Sequence, residues 1–248
     1  MEDEVKDMLL KWDHIIHYIK NLEDFEFPDE LLLLQPGGRH EALGTYNQLS
    51  YFDLSYVEFI DVFDESLVKQ AAVDSKERLS FAATLERTHY KEGFKRLCFR
   101  TDDINALKDH FVSCGREVIG PNKMTRTKPD GQVISWQLLY IDDNSVRELP
   151  FFIQWDESDE DREQALISLF QPLTVKEIAL VSKDKERTIT EWQDLFGATY
   201  DGHALTLPGS PAFTITAGDF DGIRSITIAS ADADVNEVTV HGATYLFT

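Results

Sequence analysis

Two apolar runs carry the side chains with the clearest chemical promise. The first, KWDHIIHYI at residues 11–19, is rich in β-branched and aromatic residues and reads as a strand. Strand alternation sends His14, Ile16 and Tyr18 to one face and Ile15, His17 and Ile19 to the other, so the two imidazoles cannot share an ion. His14 is the candidate for a metal or substrate contact, and His17 reads better as a packed residue. In the second run, YVEFIDVF at residues 56–63, Glu58 stands among apolar neighbours. A carboxylate on the inner face of a sheet needs a cation or a donor to offset its desolvation. If that face is instead the solvated one, Glu58 needs no such partner.

Further polar groups cluster in PGGRHEALGTYN, residues 36–47, which reads as a loop using the conformational freedom of glycine. It places Arg39, His40 and Asn47 close together in sequence, and His40 and Asn47 are candidates for orienting a small ligand at a cleft rim. Between Lys91 and Lys128 there are nine Lys or Arg against five acids, a local excess of positive charge in an acidic chain. Arg96, on the apolar run FKRLCFRT, and Arg126 could fork onto a carboxylate or phosphate, which suggests a small anionic ligand. Surface ion pairing is the plainer use for such arginines. Cys98 and Cys114 have no motif beside them and read as core residues rather than nucleophiles.

The composition narrows the partners. Lys and Arg number 24 against 45 Asp and Glu, a formal charge of -21. A nucleic-acid backbone or an anionic membrane surface is therefore repelled overall. Two cysteines without a C-x-x-C pair give no disulfide framework, which suits a reducing compartment. The acidic N-terminal stretch is unlike a secretory signal, and no apolar run approaches a membrane span, so a cytoplasmic location is expected.

The elements that must position these groups recur. Strand-like runs at residues 11–19, 94–101 and 175–182 are each followed by a polar break at about 80-residue spacing, and helical runs at 106–114 and 189–196 follow the last two. Period-two runs come next: 46–52 and 56–63; 133–141 and 151–155, preceded by a Pro129-Asp130-Gly131 turn; then 204–207, 213–216, 223–228 and 237–247. Residues 66–92 read as an inserted helical connection, and 156–172 as a solvated helix start and linker. The expected division is 1–172 and 173–248, in an α+β arrangement.

Taken together, WDHIIHYI, PGGRHEALGTYN, YVEFIDVF, FRTDDINAL, the Asp130-Gly131 turn before ISWQLLY, and PFFIQW resemble the glyoxalase-like domain of the vicinal-oxygen-chelate superfamily. The likeness spans residues 11–155, and the third unit begins like another module. It implies repeated βαβββ modules forming a cupped mixed sheet, with a third, diverged module. It further implies a divalent ion (Fe, Mn, Ni or Zn) in the cup, with His14 matching the first-strand ligand and Glu58 the last-strand ligand and catalytic carboxylate. In the second module Arg96 stands where His14 does. The nearest equivalents of Glu58 there are Phe152 and Gln154, of which only Gln154 offers an oxygen; the third module has Glu177 at the place of His14. Two readings follow. One is a metal-dependent lyase, isomerase or dioxygenase on a small oxygenated substrate, with His40 or Gln154 assisting. The other is a metal-free ligand-binding protein. Module pairing within the chain and pairing across a homodimer both fit.

Overall fold

The computed structural model of the chain describes residues 10–128, 131–143, 147, 149–230 and 236–248. Pro129 and Asp130 of the expected turn lie outside these. Eight strands, β1 (Lys11–Tyr18), β2 (Gln35–His40), β3 (Thr45–Tyr51), β4 (Tyr56–Val62), β5 (Gly93–Arg100), β6 (Glu117–Thr127), β7 (Val133–Asp142) and β8 (Phe151–Trp155), close into a barrel of order β1-β4-β3-β2-β6-β7-β8-β5. Parallel pairs β1/β4 and β5/β8 are joined by the antiparallel pair β1/β5. The βαβββ order thus appears twice, although the first crossover holds only the 3-10 turns Leu22–Asp24 and Pro28–Glu30.

The expected cup is closed where β2 meets β6, two strands that sequence patterning did not reveal. Pro36, Gly37 and Gly38 disguise β2, and Gly120, Pro121 and Asn122 disguise β6, because these residue types are poor strand formers. The PGGRHEALGTYN segment is therefore mainly barrel wall, with a turn at Glu41–Gly44.

Alternation along the strands makes two cores. Outward residues such as Ile15, Val57, Phe59, Phe99 and Phe152 are buried under a second sheet, while inward residues such as Ile16, Ile60, Cys98, Leu138 and Phe151 fill the barrel. One barrel end is covered by α1 (Glu65–Val73) and α2 (Phe81–Arg87), whose Val68, Ala71, Phe81 and Leu85 join the inner core. Asp64 starts α1 by accepting from the Ser66 and Leu67 amides. These two helices are the expected insertion. Helix α3 (Ile104–Ser113) is capped by Asp103 and sends Leu107 and Phe111 into the outer core. Helix α4 (Asp159–Leu166), in the segment expected as a linker, lies against the other barrel end.

The second sheet contains β9 (Leu173–Ser182), β10 (Thr199–Tyr200), β11 (Ala204–Thr206), β12 (Ala212–Ala217), β13 (Gly222–Ser230), β14 (Asn236–Val240) and β15 (Ala243–Phe247), in the order β10-β11-β12-β9-β13-β15-β14. With α5 (Lys185–Phe196) between β9 and β10, its first part repeats the first unit's strand order. Among the described residues the remainder repeats the second unit's strand order with neither a helix nor a counterpart of β6, and this sheet is open. Residues 237–247, expected as one strand, form a hairpin because His241 (φ 45°) and Gly242 (φ 76°) make a two-residue left-handed turn. Its inward Ile178, Phe213, Ile226, Tyr245 and Phe247 meet the barrel's outer face. Among the described residues no helix is long and apolar enough to cross a membrane.

Candidate functional site

A bulge sets the geometry of the site. Along β1 and β5, Trp12 opposes Phe99 and His14 opposes Cys98, which leaves Asp13 as the extra residue. Strict alternation would send Asp13 away from His14. Instead its fully buried carboxylate lies 2.7 Å from His14 Nδ1 through Oδ1 and accepts from Trp155 Nε1 at 3.0 Å through Oδ2. Arg162 of α4, itself buried, approaches Oδ2 at 3.8 Å. Burial alone would raise the Asp13 carboxyl, but the His14 hydrogen bond and the Arg162 charge hold it down at about 2.

His14 Nε2 points at Glu58 Oε2, 3.4 Å away. The register that pairs Ile16 with Glu58 puts both side chains on the inner face of adjacent parallel strands. Glu58 Oε1 accepts from Asn47 Nδ2 at 2.5 Å, and Asn47 Oδ1 accepts from Arg126 Nη1 at 3.2 Å. One polar chain thus runs Asp13, His14, Glu58, Asn47, Arg126 through an apolar interior. Tyr56 stacks on the His14 ring at 4.8 Å, and Phe151 meets its edge at 5.5 Å. The cavity beside this chain, lined also by His40, Ile60, Met124 and Leu138, gives about 60 Å³ to the centre of a water-sized sphere, room for a few waters or a small ligand. His40 Nδ1 lies 3.0 Å from Thr45 Oγ1. Burial pushes its pKa down to about 4 against the pull of Glu58, so its ring is neutral at pH 7.

The paired glycines of β2 exist because of this chain. A Cβ on Gly37 would stand 2.0 Å from Asn47 Oδ1, and one on Gly38, at φ 154°, would stand 2.5 Å from the Thr127 carbonyl oxygen. Gly37→Ala is therefore expected to displace Asn47 from Glu58 and destabilise the protein by about 1–3 kcal/mol, measured by urea unfolding. A loss below a few tenths of a kcal/mol would show that Asn47 is not held by this close approach.

Other candidates lie elsewhere. Arg96 points inward, but its guanidinium donates to the Leu149 carbonyl from Nε (3.0 Å) and Nη2 (2.8 Å) and to the Leu79 carbonyl from Nη1, and it does not line the cavity. It ties the barrel to its connections, so the expected anion contact at Arg96 is not assembled. Gln154 faces outward: Oε1 accepts from the Ile104 amide at 2.9 Å and Nε2 donates to the Asp102 carbonyl at 2.8 Å, which fixes the start of α3. The β5/β8 register pairs Cys98 with Phe151, making Phe151 the counterpart of Glu58. The equivalents expected from sequence, Phe152 and Gln154, lie one and three residues beyond Phe151, and either odd shift reverses the face. Glu177 accepts from Thr214 Oγ1 at 2.8 Å on the second sheet, away from the barrel interior. His17 faces outward with Nδ1 2.8 Å from the Tyr245 hydroxyl, and burial pushes its pKa down to about 3. Burial pushes the Cys98 thiol well up, while Cys114 is exposed.

Asp13, Tyr56, Trp155 and Arg162 were not foreseen. The only sequence signals were the Asp-His pair and a lone arginine in the acidic run DESDEDRE.

His14 Nε2 and Glu58 Oε2 converge, and Asp13 holds the His14 ring by its other nitrogen, as carboxylates do for metal-bound histidines. Among the described residues the three-residue grouping of potential ligands is Asp13, His14 and Cys98, with ligand atoms within 4.8 Å of one another. The residues fit an ion held from one side of the barrel, since Arg96 and Phe151 offer no ligand on the other.

The glyoxalase-like domain family matches residues 12–196. A hypothetical protein from Staphylococcus aureus is 34% identical, with a TM-score of 0.92 over 97% of this chain and 99% of that one. A mutant of 4-hydroxymandelate synthase from Streptomyces coelicolor, 11% identical with a TM-score of 0.56 over 91% of this chain and 72% of that one, shares the fold. Comparison with curated proteins gave no match. With three quarters of its length matched and a repeated βαβββ barrel, this chain belongs to the glyoxalase-like domain family.

Proposed function

We propose that the barrel binds a small, anionic oxygenated metabolite beside a divalent ion held by His14 Nε2 and Glu58. The observation that carries this is the fixed direction of the His14 ring. Asp13 engages Nδ1 at 2.7 Å, so in the neutral ring the Nε2 lone pair faces a carboxylate oxygen at 3.4 Å, and two electron-rich atoms so placed call for a cation between them. Once bound, the ion would polarise a carbonyl or enolate oxygen as a Lewis acid. The remaining work falls to the chain's own groups. Arg126 supplies positive charge at the cavity edge, neutral His40 offers one hydrogen bond, and Ile16, Ile60, Met124 and Leu138 shape a dry wall. Glu58, steadied by Asn47, is also the group placed to move a proton. In this reading residues 1–172 form the working unit, and residues 173–248 wall it from outside.

Titration with Mn2+ followed by electron paramagnetic resonance tests the proposal. One ion per chain is expected, with affinity lowered at least tenfold in His14→Ala and Glu58→Gln and about tenfold in Asp13→Asn, in line with the usual cost of losing a metal-supporting group. No stoichiometric uptake of Mn, Fe, Ni or Zn would defeat it. One observation favours a second reading, a metal-free binding protein: Arg96 and Phe151 occupy the second unit's two ligand positions. Saturable binding of a small anion by metal-stripped protein, unchanged on adding metal, would support that reading instead.

A further inference from the structure

A second cavity lies between the barrel end and α4. Tyr51, Arg126, Lys128, Glu157 and Arg162 line it, and it gives about 30 Å³ to the centre of a water-sized sphere, room for two or three oxygen-sized atoms. Tyr56, Arg126 and Trp155 line both cavities, so the two are separated by single side chains.

The charges here are unusual for so acidic a chain. Arg126 is only 7% exposed; among the described residues its Nε has no partner, its Nη1 donates to the neutral amide of Asn47, and its further contact is the neutral phenol of Tyr51. A buried guanidinium with no carboxylate against it is incompletely compensated. Arg162, 4% exposed, lies 4.3 Å over the Trp155 ring and reaches Asp13 at 3.8 Å and Asp159 at 3.5 Å. Tyr51 shares the lining with both guanidinia, and burial pushes its phenol up against the charges of Arg126 and Arg162 and a hydrogen bond with Arg126. Lys128 is half-buried, with its ammonium on Gln132. Among the described residues Glu157 is the only carboxylate in the lining, and it is exposed.

We infer that this second cavity is an oxyanion subsite, taking a phosphoryl or carboxylate group between Arg126, Lys128, Arg162 and the Tyr51 hydroxyl. The forked guanidinium of Arg126, with its unpartnered Nε–H, suits such a group. The ligand is then an elongated anion: its oxyanionic end occupies this cavity and its other oxygens reach past Tyr56 toward His14 and Glu58. That second placement rests on the function proposed above, whereas the subsite itself rests on the cations.

Arginine-selective 15N spectra of the full chain, titrated at constant ionic strength with inorganic phosphate and separately with malonate, provide the test. The Arg126 Nε–H resonance, assigned by its loss in Arg126→Lys, is expected to shift saturably with at least one anion. Whichever binds more tightly identifies the group as phosphoryl or carboxylate. Lys128→Gln, at a half-buried position whose ammonium donates to Gln132, should keep the fold and weaken that anion about tenfold, the loss of one charge-assisted contact. No saturable shift with either anion, or equal affinity in wild type and Lys128→Gln, would overturn the subsite. Mn2+ binding read on the same samples separates the two proposals: Mn2+ uptake without an anion response sinks this one alone, and an anion response without Mn2+ uptake sinks the metal site alone.

Discussion

Phe99→Ala is expected to cost about 3–5 kcal/mol and to unfold barrel and second sheet in one transition. Phe99 is fully buried where the two sheets meet. Its ring lies 5.6 Å from that of Phe213, 5.8 Å from Trp192, 6.3 Å from Phe196 and 6.5 Å from Phe152, so both sheets lose packing at once. One continuous apolar core spans these residues, which leaves neither sheet an outer face to bury alone. Urea unfolding followed by circular dichroism and by tryptophan emission should give coincident curves for wild type and variant, with the midpoint lowered in the variant. Separate transitions, or a long-lived C-terminal fragment after proteolysis within residues 156–172, would show that the sheets fold independently.

Acidification from pH 7 to pH 5 should remove about 4 kcal/mol, shared between His17 and His40. Burial lowers the folded pKa of His17 to about 3 and of His40 to about 4, from 6.5 in the unfolded chain. Below 6.5 the unfolded chain takes up protons that the folded protein refuses. The contribution of each histidine is therefore complete above that pH and falls by about 1.4 kcal/mol per unit until the folded pKa is reached. His17→Asn should remove about half of the pH dependence whatever it does to stability at pH 7. Urea unfolding at the two pH values measures this, and an unchanged difference would mean that His17 is not the group responsible.

The strands with strong period-two patterning were legible, and so was their use. Alternation separated His14 from His17, and the structure sends one into the barrel and the other toward Tyr245. The parallel neighbour relation of β1 and β4, taken from the family likeness, brings His14 and Glu58 to 3.4 Å. What failed has a common cause. The strands β2 and β6 were hidden because close approach to their neighbours, Gly37 to Asn47, Gly38 to Thr127 and Gly120 to Leu138, demands glycine, and glycine and proline read as turns. His40, Asn47 and Arg126 were noticed as residue types but not as parts of a closed wall. Asp13 was invisible for a related reason: a bulge breaks the period on which face assignment depends. Gln154 was misplaced because an odd register shift, which reverses the face, cannot be detected in a strand as apolar as FFIQW.

The closure of the barrel sets a rate as well as a shape. Strands β3 and β4 share seven paired positions, whereas among the described residues β2 and β6 share the single pair Arg39 and Thr127. A ring with one weak rung works as a clasp, parting there at the smallest loss of hydrogen bonding. Gly37 and Gly38 sit on one lip and Arg126 on the other, so an opening there would bare the buried guanidinium to solvent. Ligand arrival would then be timed by the clasp rather than by diffusion, and the observed association rate would level off as ligand concentration rises. Amide deuteration would carry the same signature, with the residues of this seam exchanging well ahead of those joining β3 to β4.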